Sequence, residues 1–285
     1  MAGIDYEAEY NNRRRVPEWP EIAERWQMLS SGYRLATHAR LDLSYGPGPR
    51  HRYDLFPAEA PDAPLAVYIH GGYWQRGDRK DYSFVARELN AKGVSVALPS
   101  YSLCPEVTVM DIVAELQTFL AALWAETKKH PVVVGHSAGG HLTAAMVATD
   151  WSKIAGVPAD LVRAGYAISG LYDLPPLVGT TINDLVKMTV QTARTASPLF
   201  WPPPPKSRRF VAAVGDEEGV EYHRQASEIA QAWSLAGLDA RCVEIFGTNH
   251  FTIVDELNTP SSVMLADIVD LARFAGAAQQ EDAAA

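Results

Sequence analysis

Apolar positions along the chain fall into two alternating rhythms. Short unbroken runs at Leu65–Ile69, Val94–Leu98, Pro131–Val134, Ala164–Ile168 and Phe210–Val214 have the length of strands buried on both faces. Between them lie stretches with helical spacing. Val109, Ile112, Leu116, Leu120 and Leu123 recur along Thr108–Lys128, and Tyr222–Ala236 shows the same amphipathic pattern. Ser83–Lys92, His141–Thr149 and Ser262–Ala275 read as further helices, and Arg241–Ile245 as a last strand. Upstream, His38–Ser44 and Arg50–Phe56 flank Gly46-Pro47-Gly48-Pro49, a turn signal between two strands. Strands alternating with helices across short loops predict an α/β fold with a mostly parallel central sheet covered on both faces.

Three segments depart from this rhythm. Residues 1–34 read as an irregular N-terminal arm with a short helix around Pro20–Met28. Residues 171–209 are too long for a simple connection. They hold one predicted helix, Asn183–Ala193 with Asn183 as N-cap, and the run Pro202–Pro205, and they predict a cap or lid over the sheet edge. Beyond Gly276 the chain turns alanine-rich, so 278–285 are expected to be a disordered tail and 35–277 a single domain.

Charge and composition narrow the functional classes. The 285 residues are 47% hydrophobic and carry a formal charge of −9. A chain of that length buries roughly three quarters of its unfolded surface and needs neither disulfide nor metal to fold. The acidic balance argues against a nucleic-acid partner. The one basic cluster, Arg13-Arg14-Arg15, reads as part of a solvated arm. With no apolar leader, no 18-residue uncharged run and only Cys104 and Cys242, the expectation is a cytoplasmic protein with reduced thiols and no membrane partner.

The chemistry concentrates in three places. Val132-Val133-Val134-Gly135-His136-Ser137-Ala138-Gly139-Gly140 runs a buried strand straight into Gly-x-Ser-x-Gly and then a helix. The pentapeptide alone is a weak sign, but its strand–turn–helix setting is that of a nucleophile elbow, which presents Ser137 Oγ at a helix N-terminus. His70-Gly71-Gly72-Tyr73-Trp74 follows an earlier strand. Its Gly72 and Tyr73 amides, with Gly71 as a further candidate, would join the Ala138 amide as donors to a tetrahedral oxyanion. The base should follow the last strand, where His250 alone fits. The acid should follow Phe210–Val214, where Asp216, Glu217, Glu218 and Glu221 crowd together; loop length favours Glu218, and Asp173 is an outside candidate. Three of those four would then be solvated surface. Tyr73, Trp74, Phe251 and the 171–201 insertion are candidates for an aromatic pocket. No HExxH or comparable ligand spacing is present, so no metal or cofactor is expected.

His70-Gly71-Gly72-Tyr73-Trp74-Gln75 resembles the signature of the arylformamidase (kynurenine formamidase) branch of α/β-hydrolases. The likeness continues through Tyr101–Glu106, Gly135–Leu142, Ser169–Leu174, Glu221–Gln225 and Asn249–Phe251. It implies an α/β-hydrolase fold with Ser137 as nucleophile, His250 as base and Glu218 as acid, where many relatives carry Asp. It also implies cleavage of an N-formyl aryl amide. A carboxylesterase on short acyl esters is the alternative, and a non-catalytic ligand-binding homologue a distant one. The implied partner is a small aromatic amide or ester, with a homodimer left open.

Overall fold

A computed structural model describes residues 3–277. Eight strands form one sheet: β1 (Arg40–Ser44), β2 (Arg52–Phe56), β3 (Leu65–Ile69), β4 (Ser95–Pro99), β5 (Pro131–His136), β6 (Ala164–Ile168), β7 (Arg209–Gly215) and β8 (Asp239–Ile245). Their spatial order is β1-β2-β4-β3-β5-β6-β7-β8. The β1–β2 and β2–β4 pairs are antiparallel, and every pair from β4 to β8 is parallel. This is the mostly parallel sheet predicted from the alternating rhythms.

The two-residue period of a strand sorts its side chains onto two cores. In β3, Leu65, Val67 and Ile69 pack with α5 (Val109–Thr127), α6 (Ala138–Ala148) and α9 (Val220–Leu235). Ala66 and Tyr68 point the other way, onto α3 (Trp19–Ala36), α4 (Ala86–Ala91) and α10 (Val263–Ala277). The central strands are hydrophobic without interruption because both faces are covered. Thr108 starts α5 with a capping box, accepting from the Asp111 amide at 3.2 Å while the Asp111 carboxylate accepts from the Thr108 amide at 2.8 Å.

Two segments differ from expectation. The N-terminal arm is helical and packed: α1 (Tyr6–Tyr10), α2 (Asn12–Arg15) and the 18-residue α3. Tyr10, Ile22, Trp26 and Ser30 are buried. Tyr10 Oη donates to Glu221 at 2.7 Å and accepts from Gln225 at 2.7 Å; Trp26 Nε1 donates to Asp255 at 2.7 Å. The helix was underestimated because Trp19, Ile22, Ala23 and Trp26 form an apolar stripe at helical spacing among polar neighbours, and its partner is a distant part of the chain.

The helix expected over Asn183–Ala193 is instead two, α7 (Asn183–Val186) and α8 (Val190–Thr195), broken at a left-handed Lys187. Local polar side chains compete with the backbone ladder there. Asn183 Oδ1 accepts from the Met188 amide at 2.7 Å, and Thr189 opens α8 by accepting from the Thr192 amide at 3.1 Å. The expected tail at 278–285 lies outside the described residues. Among the described residues, no helix is long and apolar enough to cross a membrane.

Candidate active site

The C-terminal ends of β3, β5, β6 and β7 meet at one edge of the sheet, and the chemically interesting residues stand there. At the end of β5, Ser137 adopts φ 57° and ψ −118°, and α6 begins at the next residue. The turn is that tight because neighbouring backbone touches it. A Cβ on Gly135 would stand 2.2 Å from Gly139 O, and one on Gly139 would stand 2.0 Å from Ile69 O. Neither position can carry a side chain without moving the strand–turn–helix unit. Tyr73, Trp74 and Ser169 share the left-handed region, with φ of 52°, 59° and 50°. Such conformations cost about 1–3 kcal/mol each in non-glycine residues and cluster at functional edges.

The loop after β3 lies directly against Ser137. A Cβ built on Gly71 would approach Ser137 Cβ to 3.1 Å and His136 O to 2.9 Å. Gly72, at φ +114°, turns the loop so tightly that its own Cβ would meet Arg76 O at 2.3 Å. The proposed donors of Gly71, Gly72 and Tyr73 are therefore carried beside the elbow that carries Ala138.

His250 follows β8 and is buried. Its Nδ1 donates to Glu218 Oε2 at 2.6 Å. Glu218 Oε1 accepts from Ser169 Oγ at 2.5 Å and from the Gly215 amide at 2.8 Å. Both carboxylate oxygens are thus engaged, which makes burial of the group tolerable. None of the other candidate carboxylates bonds to His250. Asp216 accepts from the Thr248 amide at 3.1 Å, Glu217 is exposed, and Asp173 pairs with Arg224 at 3.2 Å. Contrary to the expected solvated surface, Glu221 is buried against Arg224 at 2.8 Å and Tyr10. Ser169 was missed from sequence: a hydroxyl that anchors the far oxygen of a carboxylate has no sequence signature of its own.

Ser137 and His250 line one cavity of about 230 Å³, together with Gly72, Tyr73 and Phe251. Phe251 stands at its wall, its ring edge-on to that of His250 at 5.5 Å between centroids. Trp74 does not. It is fully buried beneath the loop, with Nε1 donating to His141 Nδ1 at 3.2 Å, so its bulk goes into the core. The 171–209 insertion also contributes nothing to this wall. The cavity is closed instead by Arg13, Trp19, Ala23, Trp26 and Gln27 from the N-terminal helices. Arg13 is correspondingly half-buried, its guanidinium over the Trp19 ring at 3.8 Å, whereas Arg14 and Arg15 are exposed. The N-terminal segment is tied to the loop by Asn12, whose Nδ2 donates to Tyr222 Oη at 2.8 Å and Tyr73 Oη at 3.0 Å.

Three histidines around the site are structural. His136 Nε2 donates to the His250 carbonyl at 2.7 Å, and His141 Nε2 to Ala196 O at 2.7 Å. Burial pushes His70 and His141 down to about 4, and burial, together with mutual repulsion between adjacent imidazoles, pushes His136 well below the usual imidazole range. Unfolded imidazoles titrate near pH ~6.5, so between there and about pH 4 the unfolded chain binds more protons than the folded one. Stability is then full above pH ~6.5 and is lost as pH falls, by at most about 1.4 kcal/mol per pH unit for each histidine. Urea midpoints at roughly pH 7.5, 6 and 5 should therefore fall steadily. A midpoint that holds constant across that range rejects the neutral-histidine reading.

Comparisons with known proteins place the chain in a family. The alpha/beta hydrolase family matches residues 66–260. Kynurenine formamidase of Danio rerio is 30% identical over 271 residues, spanning 90% of this chain and 92% of the relative. The chain is an arylformamidase-like α/β-hydrolase. Kynurenine formamidase of Drosophila melanogaster is 28% identical over 227 residues, covering 75% of each chain. Among solved structures, a Silicibacter chain provisionally assigned as a thioesterase superposes with a TM-score of 0.85 at 34% identity, covering 93% of this hydrolase and 99% of that chain.

Proposed function

We propose that this α/β-hydrolase is a serine hydrolase that removes the formyl group from an aryl formamide, of the kind exemplified by N-formylkynurenine. The observation that carries the reading is the His250–Glu218 bond at 2.6 Å, in a cavity whose wall also holds Ser137. In the proposed first step His250 Nε2 takes the Ser137 proton as Oγ bonds to the formyl carbon. The amides of Gly72, Tyr73 and Ala138, with Gly71 adjoining, receive the negative charge of the tetrahedral oxygen. The imidazolium returns its proton to the amine nitrogen as the C–N bond breaks, leaving a formyl ester on Ser137. His250 then deprotonates water as it attacks that ester, and the imidazolium returns the proton to Ser137 Oγ as the C–Oγ bond breaks and formate leaves. Glu218 holds the imidazole in the tautomer that leaves Nε2 free to accept and stabilises its cation.

A second reading, hydrolysis of short acyl esters or thioesters, has the support of the Silicibacter likeness and would use the same groups. A panel of formanilides, acetanilides, p-nitrophenyl acetate and an acetyl thioester separates the two by kcat/KM. The formamidase reading expects formanilides to lead acetanilides by about 10²-fold or more, as a site fitted to hydrogen discriminates against an added methyl. A preference of several orders of magnitude for ester or thioester would leave that reading untenable.

A further inference from the structure

Two guanidinium groups face the cavity that holds Ser137 and His250: Arg13 from α2 and Arg76 from the loop after β3. Both are half-buried. Neither has a carboxylate within 4.0 Å among the described residues, whereas Arg25, Arg34, Arg79 and Arg224 each hold one. Burial and the adjacent charge of Arg76 pull the Arg13 guanidinium below its ordinary range. In a chain of net charge −9, two like charges share one pocket, and the one carboxylate lining it, Asp81, is within 4.0 Å of neither. That arrangement carries a repulsion and a desolvation cost that an incoming anion would relieve.

The surroundings specify the shape of that anion. Arg13 is fixed over the face of Trp19, whose ring lies 6.5 Å from that of Phe251. Tyr82 lines the same cavity. Aromatic walls with a cationic end suit a flat ring bearing a carboxylate. Asp81 also faces the cavity, but its Oδ1 accepts from Gln27 Nε2 at 3.2 Å and it bridges neither arginine.

We propose that Arg13 and Arg76 form an anion subsite that holds a carboxylate on the aromatic leaving group of the substrate. Placement on the leaving group rests on the formamidase reading, since a formyl carbon bears only hydrogen and offers no other position for the charge. The subsite itself does not depend on that reading. It explains why α2 and α3 close the cavity, because they supply the guanidinium and the ring that orients it.

Calorimetric titration of the whole chain with benzoate and with benzamide tests the subsite without any turnover. Benzoate should bind at least about tenfold more tightly, the equivalent of one charge-assisted contact to a guanidinium. That advantage should shrink by about tenfold in Arg13→Gln and in Arg76→Gln, and partly return in Arg13→Lys. Equal binding of the two ligands by the unmodified chain overturns the proposal, and so does an advantage that survives in both glutamine variants. A parallel kcat/KM comparison of formamidobenzoate with formanilide then places the charge on the leaving group. A benzoate advantage without any formanilide hydrolysis keeps the subsite and removes the formamidase reading. Formanilide hydrolysis with no benzoate advantage does the reverse.

Discussion

Replacing Ser137 with alanine is expected to lower kcat by on the order of 10⁴- to 10⁶-fold on whichever substrate of the panel is turned over best. In the proposed mechanism the hydroxyl is the group at the elbow that forms the acyl-enzyme. It is held at a strained turn that neighbouring backbone fixes from both sides through Gly135 and Gly139. On that mechanism, water in the variant would have to attack a carbonyl polarised by the proposed loop amides alone, which would leave a residual rate over solution. The variant should fold normally, because the substitution removes one oxygen and leaves the backbone unchanged. A fluorophosphonate probe should label the native chain at Ser137 and leave the alanine variant unlabelled. Activity within about tenfold of the native value would falsify the nucleophile assignment, and an unlabelled native chain would revive the non-catalytic homologue.

The second large effect is expected at Glu218. Glu218→Gln keeps the shape but replaces one oxygen of the carboxylate by an amide that donates. The Nδ1–H of His250 then faces a donor or a weaker neutral acceptor, and the ring loses its reason to keep Nε2 unprotonated. A loss of about 10³- to 10⁴-fold in kcat, with KM little changed, follows from that tautomer effect. Asp216→Asn should cost no more than about threefold, since its carboxylate serves the Thr248 amide. Asp173→Asn should likewise cost little, since its partner is Arg224. Steady-state kinetics on the three variants decide the matter. A loss in Asp216→Asn equal to that in Glu218→Gln would remove Glu218 from the role.

Much of the site was legible before any coordinates. Ser137 stood out because a strained strand-to-helix turn permits few residues at its flanks, and that restriction is written as Gly135 and Gly139. The loop from His70 to Trp74 was legible for a related reason, since backbone must approach Ser137 closely there. Glu218 was legible only as one of a cluster. What distinguishes it is the set of partners it meets: the local Gly215 amide together with His250 and Ser169, which come from two distant points along the chain. Trp74 was misread because a large aromatic beside a glycine loop looks the same in sequence whether it points up into a cavity or down to His141.

The sequence by itself determined the strands, the helices between them from β3 onward apart from those of 171–209, the elbow and its serine. Those features depend on local periodicity and on backbone geometry over a few residues, and both are carried by neighbouring letters. The tertiary structure alone decided which segment closes the cavity. Expectation favoured 171–209, whereas the folded chain uses α2 and α3, pinned by Trp26 to Asp255 and by Asn12 to Tyr222 and Tyr73. Contacts between residues separated by up to some two hundred positions leave no period to read. They arise only once the sheet has brought its strand ends together and left an apolar stripe of the arm with one place to bury itself.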